Sequence, residues 1–125
     1  MPSAMNMTRW RIAIALWILL IPLCAPAETS DLWIHTNQGI HGLRVATATS
    51  EYEQLTGLHG WESLAVDEGM LFIFPEVTQR PFWMKHVSIP LDILFIDPGG
   101  RIVDIIRHAE PGTETPLVAN SSFSA

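Results

Sequence analysis

The stretch RPFWMKHVSIPLD, residues 80–92, contains side chains suited to binding or proton transfer: Trp83, Lys85, His86 and Asp92. An indole two residues from an ammonium group makes a platform for a sugar, an aromatic ring or a carboxylate. In an extended segment the side chains alternate, with Phe82, Met84 and His86 on one face and Trp83, Lys85 and Val87 on the other. Phe82 and Met84 suit a core, which leaves Trp83 and Lys85 on a partly solvated face. Asp92 stands at the head of the apolar run LDILFI and shares a strand face with Leu94 and Ile96. A carboxylate there needs a partner, because burying a lone one is costly. Lys85 is the expected partner, and the pair would either pin the HVSIP loop or, functionally, orient a ligand or tune a proton donor.

These residues allow two functional classes. Trp83, Lys85, His86 and Asp92 can line a binding or interaction module. Alternatively, Lys85, His86 and Asp92 can perform acid–base or covalent chemistry in a small enzyme. Binding is favoured: no acid–base pair is local in sequence, and parity separates His86 from Lys85. His35, His41, His59, His86 and His108 show no paired metal-ligand spacing. There is no nucleophile elbow around Ser63 or Ser88 and no phosphate-binding glycine loop, so neither a metal nor a cofactor is implied.

The elements that position these residues read as mainly β. DLWIHTNQGIHGLRVATATS predicts two strands around an Asn37-Gln38-Gly39 turn. Ser50 followed by Glu53 is a capping box and Gly57 a stop, so residues 51–56 should be helical. MLFIF, residues 70–74, suits a strand buried on both faces. LDILFI-DPGG-RIVDII predicts a hairpin, because Pro98 presets φ and Gly99 and Gly100 accept positive φ. The expected architecture is a small antiparallel β-sandwich or barrel with one short helix, followed by a turn-rich tail.

The N-terminus predicts export. Arg9 and Arg11 precede an apolar core, Ile12 to Ile21, that ends at Ala25-Pro26-Ala27. That core is half the roughly 20 residues a spanning helix needs, so it reads as a secretory signal helix over residues 1–27. An uncleaved anchor is the alternative, and it would be the chain's one link to a membrane. Cys24 at the end of the run suggests a lipoprotein, but Pro22 and Leu23 before it are not the small residues such a site needs. Cleavage after Ala27 removes the one cysteine and leaves a single small β domain, residues 28–125, in the periplasm or secreted. With Arg9 and Arg11 removed, 5 basic residues face 13 acidic ones, a net charge of −8. Such a surface repels phosphate backbones and excludes nucleic acid as a partner.

The ordered blocks DEGMLFIF, FWMK, IPLDILFID and RIVDI resemble the domain-of-unknown-function 192 family over about Leu43 to Leu117. The resemblance implies a compact, mostly β domain, often exported in bacteria, with no established activity. The chain departs from the family pattern at His59, Gly60 and Trp61, and at His86-Val87, where the family carries asparagine-threonine. The family domain also continues into a further strand, so a missing C-terminal strand and an open sheet edge are expected here. The resulting expectation is an exported ligand-binding or interaction module of the cell envelope. Its partner would be a small molecule, a saccharide or an envelope protein.

Overall fold

A computed structural model describes residues 28–120, so the segment read as a signal peptide lies outside the described residues. Among the described residues, five strands and one short helix form a mainly β fold in two sheets, with no closed barrel. Strands β1 (Thr29–Thr36) and β2 (Gly39–Ala48) pair antiparallel across the Asn37-Gln38 turn. Thr36 Oγ1 closes that turn by donating to the Gly39 carbonyl at 3.1 Å and accepting from the Gln38 N–H at 3.2 Å.

Helix α1 (Glu51–Thr56) begins where the capping box predicts. Ser50 Oγ accepts from the Glu53 N–H at 3.2 Å, and Glu53 Oε2 accepts from the N–H groups of Ser50 and Thr49, both at 2.9 Å. Those backbone donors, Ser50 first, hold the Glu53 carboxyl below its ordinary range. Gly57, at φ 47°, ends the helix with its N–H on the Glu53 carbonyl.

Strand β3 (Glu68–Phe72) corrects two expectations. It lies parallel to β2, from Arg44↔Glu68 to Ala48↔Phe72, rather than antiparallel. The connection through α1 supplies the crossover that a parallel return requires. The run was also expected to be buried on both faces. Met70, Leu71 and Phe72 are only half-buried and Ile73 is exposed, because β3 is an edge strand with one neighbour.

The second sheet is the predicted hairpin, β4 (Leu91–Ile96) and β5 (Ile102–Ala109). Asp97 organises its turn: its carbonyl accepts from the Gly100 N–H at 3.0 Å and its carboxylate from the Arg101 N–H at 2.8 Å. Of the two turn glycines, only Gly100 uses its freedom, at φ 81°. The register slips twice, between Leu91 and Ile93 and between Phe95 and Ile96. At the first slip Arg107 and His108 both stand opposite Asp92, which is a β-bulge.

Both sheets contribute to the core. Leu58, Met84, Val87 and Ala109 form its buried centre, with Met70 from the first sheet and Leu91, Ile93 and Ile106 from the second packed around it. Phe82 links the sheets by edge-to-face contacts with Phe72 at 5.5 Å and Phe95 at 5.9 Å. Phe74 extends the cluster, and the Arg80 guanidinium lies 4.7 Å above its ring. No helix among the described residues is long and apolar enough to cross a membrane.

Candidate functional site

The residues with chemical potential stand on a loop whose backbone is fixed from below. Phe82 exchanges two 2.8 Å hydrogen bonds with Leu117, and the Met84 N–H donates to the Thr113 carbonyl at 3.2 Å. The Gly112 N–H is shared between the carbonyls of Met84, at 3.0 Å, and Val87, at 3.1 Å. Met84 is 1% exposed and anchors the loop in the core. Burial of a side chain that size is worth roughly 1.5–3 kcal/mol. Between these anchors Trp83 is 54% exposed, and Lys85 projects to the same degree.

The expected alternation holds only to Lys85. The chain turns from Met84 to Val87, with the Val87 N–H on the Met84 carbonyl at 3.1 Å, and His86 adopts φ 61°. That left-handed residue reverses the parity, so His86 is exposed and Val87 is buried. Both placements are the opposite of the sequence expectation, which assumed an extended run through Val87.

The expected Lys85–Asp92 ion pair does not form. Lys85 Nζ instead approaches Glu114 Oε1 at 3.8 Å, and both side chains are largely exposed. Asp92 is exposed rather than buried, and its Oδ1 accepts from the His108 N–H at 2.8 Å. The bulge explains the exchange. An extra residue on β5 leaves the His108 N–H without a ladder partner, and Asp92 across the strand supplies the acceptor.

Three neighbours were missed by the sequence reading. Glu114 lies in the turn-rich tail, where Gly112 at φ 75° marks the turn that returns the chain to Lys85. His59 meets His86 edge to face, with ring centroids 5.4 Å apart. The fold brings these two positions, distant in sequence, into contact. His108, at φ 52°, is with His86 one of two non-glycine residues with positive φ among the described residues. Such conformations cost about 1–3 kcal/mol and cluster at functional sites.

Chemically, the loop offers an open indole face, a cation balanced by a carboxylate and a pair of imidazoles. Asp92 belongs to a neighbouring strand end and is committed to backbone. Lys85 faces Glu114 and Asp92 faces the His108 N–H, so these sequence-predicted residues pair with other groups rather than with each other.

The fold occurs in solved structures. A protein of unknown function from Novosphingobium aromaticivorans DSM 12444 is 31% identical, with a TM-score of 0.74 over 79% of this chain and 71% of its own. A protein described as a "putative transcription regulator" from Sinorhizobium meliloti 1021 is 33% identical, with a TM-score of 0.72 over 75% of this chain and 74% of its own. No curated protein matches. The sequence profile of DUF192, described as an uncharacterized ACR, matches residues 33–124, so the chain belongs to the DUF192 family.

Proposed function

We propose that this chain is an exported ligand-binding module of the cell envelope, and that the Trp83–His86 loop is its binding surface. The observation that carries the reading is the contrast within that loop. Met84 is almost wholly buried and its backbone is bonded on both sides, while Trp83, Lys85 and His86 project from it into solvent. A rigid backbone presenting exposed aromatic and charged groups binds without a large ordering cost. Export rests on the basic, apolar and Ala-Pro-Ala sections of residues 1–27. The regulator description of the Sinorhizobium protein does not extend readily to DNA contact by this chain, given its acidic surface.

Ligand-observed NMR of the full chain against small molecules, oligosaccharides and peptides tests the binding surface. A hit that vanishes with Trp83→Ala and weakens with Lys85→Ala, at unchanged melting temperature, supports it; a screen in which no hit responds to either substitution refutes it. Intact mass of the exported protein tests the compartment. Its chain should begin at Glu28, and retention of residues 1–27 would instead support an anchor.

A further inference from the structure

We propose that the β1–β2 hairpin carries a second site, distinct from the Trp83 loop, which binds a neutral saccharide on Trp33. The ring of Trp33 lies on the backbone of Gly42, its cross-strand partner. A Cβ at Gly42 would stand 2.9 Å from one ring carbon and 3.3 Å from two others. Only glycine lets the indole settle so close to the strand. The indole is nevertheless 62% exposed, so the surface away from Gly42 is open to solvent. A large aromatic with one side seated and the other open is a stacking platform.

The residues around it give the platform polarity. Trp33 shares its side of the sheet with Asp31, His35, Ile40 and Arg44, because cross-strand partners point the same way. Farther along, the same side turns Ala46, Ala48, Met70 and Phe72 toward the rest of the fold, so the hairpin forms a ledge beyond it. Two residues from Trp33, roughly 7 Å along the strand, Asp31, Arg44 and Glu68 form a row across three strands through the pairs Asp31↔Arg44 and Arg44↔Glu68. All three are exposed, and among the described residues the one ion pair within 4.0 Å is Lys85–Glu114. Glu68 Oε2 accepts from the Ala65 N–H at 3.3 Å, which leaves its other oxygen, the Asp31 carboxylate and the Arg44 guanidinium to a ligand.

This chemistry selects the ligand. The apolar C–H face of a pyranose ring covers the indole, while vicinal hydroxyls donate to Asp31 or Glu68 and accept from Arg44. Two carboxylates against one guanidinium disfavour a phosphate or a uronic acid. An apolar protein surface would bury those charges without hydrogen-bond partners. A neutral polyol satisfies both requirements.

The test uses the full chain labelled with 15N-tryptophan, with Trp33→Phe identifying the indole resonance of Trp33. Cellotetraose and chitotetraose are the neutral probes and tetragalacturonate the anionic one. A neutral probe should shift the Trp33 resonance, and Trp33→Ala should weaken binding by about tenfold or more. Gly42→Ala, which lifts the indole from the strand, and Asp31→Ala should weaken it severalfold. Trp83→Ala should leave it unchanged, which separates this site from the loop. The proposal is overturned if neither neutral probe shifts the resonance, if tetragalacturonate binds more tightly, or if the resonance moves only with protein concentration and reports self-association.

Discussion

Asp92 Oδ1 accepts the backbone N–H of His108 at 2.8 Å across a β-bulge, so this carboxylate repairs a gap in the β4–β5 ladder. An acid at the head of an apolar strand is thereby explained without a buried ion pair.

Asp92→Ala is expected to cost about 1 kcal/mol in urea denaturation, the ordinary worth of one hydrogen bond at an exposed site. Asp92→Asn, which keeps an acceptor oxygen, should cost less. A loss of roughly 3–5 kcal/mol, typical of breaking a buried pair, would contradict the exposed placement. His108→Gly relaxes the positive φ and should leave stability unchanged or slightly raised.

The Lys85–Glu114 pair should contribute little. At 3.8 Å and with both groups largely exposed, a double-mutant cycle with Lys85→Ala and Glu114→Ala should give a coupling of about 0.5 kcal/mol or less. That coupling should fall further in high salt. A coupling well above this, or one insensitive to salt, would mean the pair is shielded from solvent.

Neighbouring residues on the loop should respond in opposite ways. Met84→Ala should destabilise the fold by about 2–5 kcal/mol, because the side chain is enclosed on all sides. Trp83→Ala should stay within about 0.5 kcal/mol, since half of the indole is already in water. Equal losses from both would remove the contrast on which the binding surface rests.

Glu53 makes the start of α1 sensitive to acid. Its folded carboxyl titrates below the ordinary range because the Ser50 and Thr49 N–H groups favour the charged form. A depressed folded value means the stabilisation is present above the unfolded carboxylate value and is lost as pH falls through the folded one. The protection factors of the amides at residues 51–56, corrected for intrinsic exchange, should therefore fall in that window, and Glu53→Gln should abolish the dependence. Ser50→Ala should cost about 1 kcal/mol at neutral pH. An unchanged exchange profile in acid would mean that the capping box does not hold the helix.

Local chemistry made much of the fold readable. The Asn37-Gln38 turn, the Ser50–Glu53 box and the Pro98-to-Gly100 turn each specify backbone geometry within a few residues, and each stands where its sequence predicts. The exposure of Trp83 and Lys85 was likewise legible, because Phe82 and Met84 must alternate with them to reach the core. The contacts around the site were not. Glu114 reaches Lys85 because residues 112–117 fold back under the loop, and His59 reaches His86 because α1 ends against the same core. The parallel return of β3 depends on a long crossover, and the His108 bulge on where the β4–β5 register slips within the hairpin. A side chain's pattern records which face it seeks. Its partner is set by long-range register and loop docking, which no local spacing encodes, and that is why Asp92 serves His108 rather than Lys85.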